Sequence, residues 1–205
     1  MAEKVYPIIT ISREFASGGH SIAIKVAEEL GIPFVDKEIA AKICEESGYT
    51  KEFVKEKGKY VNGKEQFLNS FLLSNTIGYY ENPQDVVFNM QRKAILERAQ
   101  EPCVIVGRCA DYILEKKGVD ILKVFIHASK EYRIARTKSY GDTGVDIEKR
   151  LNDMDKQRKA YYRYYTEMEW GEYQNYHLNL DSGYLTQDEC VKIICDAAKN
   201  HMIEK

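Results

Sequence analysis

The chain has 205 residues, 44% hydrophobic and 30% charged, with a formal net charge of −2; this suits one α/β domain with an insertion, or one and a half small domains, around a substantial core. Its charge argues against general nucleic-acid binding, no apolar run approaches the roughly 18 residues that cross a bilayer, and residues 1–5 are polar, without the apolar stretch of a signal peptide, so a cytoplasmic protein with neither nucleic acid nor membrane as partner is expected. Five cysteines without a CxxC and four widely separated histidines exclude a disulfide framework and a histidine metal centre.

Residues 6–11 form an apolar run that reads as a strand, and residues 22–30 carry Ile22, Ala23, Val26, Ala27 and Leu30 on one helical face. Between them lies the stretch TISREFASGGHS, residues 10–21. A glycine-bearing turn from a strand end into a helix start collects unpaired backbone N–H groups at the positive end of the helix dipole, where a phosphate sits well. Gly18 and Gly19 allow close backbone approach, and Ser17 and Ser21 offer hydroxyls. Laid on the phosphate-loop pattern GxxxxGK[ST], Gly19 takes the last glycine and Ser21 the magnesium-binding position. Glu14 stands where the first glycine belongs and His20 where the lysine belongs. The competing reading is an ordinary glycine turn with Ser17 or Ser21 as a helix cap.

Next, IPFVD ends a short strand on Asp36, placed either to face a ligand or to cap the helix expected over 38–47. Residues 48–85 are less regular, with helical fragments at 51–57 and 65–74 and turn signals at Asn62-Gly63 and Asn82-Pro83. They read as a small helical flap. Helix resumes over 87–100, where Val87, Met90, Ala94 and Ile95 recur at helical spacing.

The β-branched run CVIVGR, residues 103–108, predicts a buried central strand. Arg108 directly after it needs an anion, and Asp111 follows one turn on. Residues 122–127 predict a further strand and then a helix on which Arg133 and Arg136 share a face. GDTG at 141–144 interrupts it, and a second helix over 146–165 carries Arg150, Asp155, Arg158 and Arg163. Residues 130–165 hold ten Lys/Arg against six Asp/Glu, a candidate anion clamp on an otherwise acidic chain. The bland alternative for each arginine is a surface ion pair, favoured for Arg150 and Arg163. Six tyrosines between Tyr161 and Tyr176 suit packing first, and otherwise a hinge, a dimer surface or a base-stacking wall. A last strand over 176–180 and a closing amphipathic helix over 186–201 complete an alternation that predicts a parallel sheet wrapped by helices.

Together the stretches ISREFASGGHSIA, VDKEIA, PCVIVGRCADYIL and FIHASKEYRIAR, with the basic helix through DMDKQR, resemble the cytidylate kinase-like branch of P-loop nucleoside monophosphate kinases. The resemblance implies a three-layer P-loop NTPase fold with a mainly parallel five-stranded sheet, in one domain over 1–205, with 48–85 as a helical acceptor-binding insertion and 130–165 as a basic lid. It implies that Ser17, Gly18, Gly19, His20 and Ser21 hold ATP, with magnesium at Ser21. The family's lid arginines, which close over the transferring phosphoryl group, fall on Arg133, Arg136, Arg150 and Arg158; apart from the resemblance, His20 is expected to stand in part for the missing lysine. Asp36, Lys42 and Arg108 would bind the acceptor, and Asp111 joins them as a candidate by its place one turn after Arg108; of the family's acceptor motif over 36–42 only Asp36 and the basic end at Lys42 remain. The implied activity is ATP-dependent phosphoryl transfer to a small acceptor, foremost a nucleoside monophosphate such as CMP or dCMP, with a homodimer left open. Two alternatives stand: a nucleotide-binding sensor or regulatory protein without turnover, and a small-molecule kinase with a non-nucleotide acceptor.

Overall fold

The structure is a computed structural model that describes residues 4–48, 50, 82–141 and 146–204. The flap expected over 48–85, except its margins, and most of the GDTG stretch lie outside these residues.

Five strands form one parallel sheet: β2 (Ile8–Arg13), β3 (Phe34–Val35), β4 (Val104–Val106), β5 (Ile121–His127) and β6 (Leu178–Asp181), in the spatial order β3-β4-β2-β5-β6. Two-residue strands at the ends of the described chain, β1 (Lys4–Val5) and β7 (Ile203–Glu204), pair antiparallel with each other. Between the strands run α1 (Gly19–Leu30), α2 (Lys37–Ser47), α3 (Pro83–Arg98), α4 (Ala110–Glu115), α5 (Lys130–Ser139), α6 (Ile147–Thr166) and α7 (Gln187–Asn200).

Alternation along the central strands sorts their side chains into two cores. Ile9 and Ile11 of β2, Val104 and Val106 of β4, and Val124 and Ile126 of β5 meet the stripe Ile22, Ala23, Val26 of α1 and Ile194, Ala198 of α7. On the other face Ile8, Ile105 and Phe125 meet Ile39, Ile95, Ile113, Tyr161 and Trp170. The result is the expected three layers. Truncating a residue such as Val26 or Ile194, both fully buried, would cost about 2–5 kcal/mol for the larger side chain and less for valine.

Several boundaries differ from the sequence expectations. Asn82-Pro83 is a helix start and not a turn: the Asn82 side chain accepts from the Gln84 N–H at 3.0 Å and Pro83 opens α3. The last strand begins two residues later than expected, because Tyr176 is buried against Phe125 rather than paired in the sheet. β2 runs on through Arg13 because its register with β5 continues to Arg13 and Ile126.

β2 and β5 are neighbours, yet the chain leaves β2 through α1 toward β3 on one side and leaves β5 through α5 and α6 toward β6 on the other. Their carboxyl ends therefore open a crevice at a topological switch point. The loop from Glu14 to Gly18 lies there.

Candidate active site

The loop is shaped by its backbone. Glu14 N–H still bonds to the β5 carbonyl of Ile126 at 3.0 Å, after which Ala16 (φ 62°) and Gly18 (φ 87°) turn left-handed and deliver the chain into α1. Ser17 is fully buried; its hydroxyl bonds to the Glu14 and Ile126 carbonyls at 3.0 and 3.2 Å, and its own carbonyl accepts from Ser182 Oγ of the turn after β6. Ser17 thus fixes the loop to β5 and is not a cap. Among the described residues no side chain caps α1, and no acidic residue lies in its first turn, an arrangement that suits an anion. At Gly19 a Cβ would come within 2.6 Å of Arg13 Cβ. Only glycine fits.

The basic helices are docked on this loop. Arg133 of α5 and Asp155 of α6 form a buried pair, and Asp155 Oδ1 also accepts from the Phe15 N–H at 2.7 Å. Arg158 Nη1 donates to the Arg13 carbonyl at 2.9 Å and lies 3.6 Å from Asp155. Glu14, in the position of the first glycine, turns its carboxylate to the Ala128 N–H at 3.1 Å and to Arg133 Nε at 3.6 Å. Arg136 lies across the mouth of the loop, with Nη2 3.5 Å from Ser21 Oγ. Arg150 and Arg158 stand over the Phe15 ring at 5.3 and 5.6 Å, a cation–π arrangement at the loop tip. Arg163 is elsewhere, in a surface pair with Glu169 at 2.7 Å.

On the other side of the loop, Gly107, Arg108 and Cys109 are three successive left-handed residues (φ 66°, 61° and 54°) directly after β4. For the two that carry side chains this costs about 1–3 kcal/mol each, and such strain gathers at functional sites. The turn sends the Arg108 guanidinium into the interior, where it donates to Asp36 Oδ1 at 3.0 Å and to Gln91 Oε1 at 2.9 Å. The anion that Arg108 needs is therefore Asp36. Asp36 makes no cap bond to α2 and instead joins Arg108 to His20, whose Nε2 is 3.6 Å from Asp36 Oδ2.

The structure thus gathers Gly18, Gly19, His20, Ser21, Asp36, Arg108, Arg133, Arg136 and Arg158 around one crevice, whereas Ser17, expected to hold ATP, is buried beneath the loop with its polar groups bonded within the fold. Lys42 and Asp111 do not join them. Lys42 pairs with Glu97 across the groove between α2 and α3. Asp111 is buried between α4 and α6, where one oxygen accepts from the Tyr162 hydroxyl at 3.0 Å, the other meets no hydrogen-bond partner among the described residues, and burial raises its pKa. Burial likewise pushes the neighbouring Cys109 thiol well above its ordinary range, so it is not a thiolate nucleophile. Just before the loop, Ser12 and Arg13 of β2 line a cavity of about 30 Å³ together with Gly107 to Cys109 and Arg158, room for water.

Two participants escaped the sequence reading. Asp155 sits among basic residues on a helix, the pattern of a solvated ion pair with Arg158, and only the fold brings it to the Phe15 N–H. Gln187 opens α7, and its contact with Arg136 crosses the loop.

A magnesium site built from protein side chains alone is not present: among the described residues no group of three His, Cys, Asp or Glu is placed to hold a metal. Ser21 in the first turn of α1 fits an ion whose other ligands come from a phosphate ligand.

Among curated proteins, no sequence matches the chain closely enough to count as a relative. Solved structures do. A crystal structure of an uncharacterized protein from Eubacterium ventriosum ATCC 27560 superposes with a TM-score of 0.66 at 27% identity, covering 95% of this chain and 99% of that one. Shikimate kinase from Bacteroides thetaiotaomicron superposes at 0.58 with 15% identity over 96% and 99% of the two chains. A gluconokinase from Sinorhizobium meliloti 1021 gives 0.52 with 16% identity over 97% of each. At such identities the two kinases speak to fold, which is that of a P-loop kinase. The sequence profile of the cytidylate kinase-like family matches residues 8–184, from the first residue of β2 to beyond β6. The glycine loop, the left-handed Gly107-Arg108 turn and the arginines of α5 and α6 all fall within that match, and the chain belongs to the cytidylate kinase-like family.

Proposed function

We propose that this protein transfers the γ-phosphoryl group of ATP to a small acceptor, foremost a nucleoside monophosphate such as CMP or dCMP. One observation carries the reading: an uncapped helix start, preceded by a left-handed loop, faces three arginines from two other helices. Phosphoryl transfer is mostly positioning and charge stabilisation, and this arrangement supplies both without covalent participation. The N–H groups of Gly18 to Ser21 cradle the phosphates. Arg133, Arg136 and Arg158 meet the charge that spreads over the transferring group, and paired N–H donors suit guanidinium to that task. Ser21 would hold magnesium, which when bound supplies further charge neutralisation there. His20 and Asp36 lie where the acceptor side opens, and Arg108 positions Asp36.

A second reading, a kinase with a non-nucleotide acceptor, is favoured by one observation. Arg108 is bound to Asp36 and Gln91, whereas the family's nucleotide acceptors would call on that arginine for their phosphate. A carboxylate beside the crevice suits an acceptor hydroxyl that must give up a proton. Purified protein with ATP, magnesium and a panel of acceptors, followed for ADP release, separates the readings. Turnover with CMP or dCMP supports the first and turnover only with hydroxyl acceptors the second. Nucleotide binding with no turnover on any acceptor overturns both in favour of a nucleotide sensor.

A further inference from the structure

The loop offers no lysine of its own. The residue at that position is His20, and its imidazole is turned toward Asp36 and lies edge-on to Phe34 with ring centroids 5.3 Å apart. The cation that stands over the cradle comes from α5. The Arg136 guanidinium carbon is 3.3 Å from the point where a Cβ on Gly18 would sit, and Nη2 reaches toward Ser21 Oγ.

Two side chains hold this guanidinium. The Tyr140 ring lies 5.3 Å from it, one turn further along the chain. The second is Gln187, whose amide, oriented so that its oxygen faces the guanidinium, accepts from Nη1 at 2.6 Å and from Nη2 at 3.3 Å. Gln187 is itself fixed. It follows Thr186, which forms a reciprocal capping box with Glu189, and the start of α7 is tied to α1 by Asp188 and Lys25 at 2.7 Å. The helix that begins at the cradle and the helix that begins at Gln187 are thus held together next to the site.

A neutral acceptor is what such a position requires. A carboxylate here would hold the arginine equally well but would cancel the charge that a phosphate is to meet, whereas an amide oxygen orients the fork and leaves its charge in place. We infer that Gln187 is a positioning residue that fixes Arg136 over Gly18 and Ser21, and that Arg136 so fixed serves the cradle in place of the lysine the loop lacks. The inference rests on the reading of the loop as a phosphate cradle and adds to it the source of its cation.

The test is calorimetric titration of the full chain with inorganic tripolyphosphate, without magnesium, for the parent, Gln187→Met, Gln187→Glu, Arg136→Met and the double variant Gln187→Met with Arg136→Met. Gln187→Met keeps the length of the side chain without the acceptor, and should weaken binding about fivefold with an unchanged melting midpoint. Gln187→Glu, which keeps the acceptor and cancels the charge, should weaken it at least as much. Arg136→Met should cost about tenfold or more, and adding Gln187→Met to it should cost nothing further, since the glutamine acts through the arginine. Parent-like binding in both Gln187 variants, or the same loss from Gln187→Met in both backgrounds, overturns the inference and leaves the cradle standing. A parent that binds no tripolyphosphate overturns the cradle and the inference together.

Discussion

Two buried carboxylates near the site have opposite lives. Asp155 is surrounded by donors: Arg133, the Phe15 N–H and, at 3.6 Å, Arg158. Its charge is satisfied, and removing it leaves Arg133 buried without its strongest partner. Asp155→Ala is expected to cost about 3–5 kcal/mol of stability, read by urea denaturation, and to lower turnover because the loop loses its link to α6. A variant as stable as the parent would show that the pair contributes nothing net. Asp111 has one oxygen on Tyr162, and burial raises its pKa. The folded state therefore holds this proton more tightly than the unfolded chain does, and Asp111 withdraws stability as pH rises from the ordinary carboxyl value of about 3.9 toward its folded value. Asp111→Asn removes that slope. Urea denaturation from about pH 4 to about pH 7 should show the variant gaining on the parent as pH rises; parallel curves would mean that Asp111 is solvated and ionised as usual.

At the level of elements, the site is a loop between a strand and a helix with two further helices laid over it. Gly18 combines a left-handed backbone with the Arg136 guanidinium close above it. Gly18→Ala should cost about 1–2 kcal/mol from the backbone alone and, by pushing Arg136 away, weaken MgATP binding about tenfold or more in calorimetry. Parent-like affinity would place the nucleotide elsewhere. Helix α6 is tied to the carboxyl end of β2 by Arg158 and lines the small cavity beside the Gly107 turn, so an acceptor that entered there would have to displace it. Hydrogen exchange should show the α6 amides changing protection when ATP and acceptor are added together; unchanged protection throughout would mean the acceptor enters by another route.

Much at this scale was legible before the fold was known. Stripes such as Ile22, Ala23, Val26, Ala27 and the β-branched run before Gly107 betray helix and central strand because burial on one face or two leaves its period in the sequence. The glycine loop and the arginines of α5 and α6 were legible because anion binding needs those residue types. What escaped depends on contacts across the chain. Asp155 meets Phe15 at a separation of 140 residues, and nothing local distinguishes it from Asp153. Arg108 called for an anion, but that the anion is Asp36 follows from β3 lying beside β4. β1 and β7 are two residues each, too short to show a period.

For the whole molecule, the parallel sheet acts as a frame whose carboxyl edge brings together residues from β2, β3, β4, α5, α6 and α7. Both cores lie behind that edge, and α6 shares in one of them through Tyr161 and Tyr162, while the arginines that α5 and α6 carry are held at the loop by polar contacts, Arg133 on Asp155 and Arg158 on the Arg13 carbonyl. This division, together with membership of the cytidylate kinase-like family, is why phosphoryl transfer and not passive nucleotide storage is the central claim. It is tested most directly by following the label from γ-phosphate-labelled ATP in the presence of magnesium and CMP, with Arg158→Ala alongside. The account predicts label in a discrete diphosphate product, formed by the parent and much more slowly by Arg158→Ala. Label that stays on ATP, or that appears only as inorganic phosphate whatever acceptor is added, would contradict it.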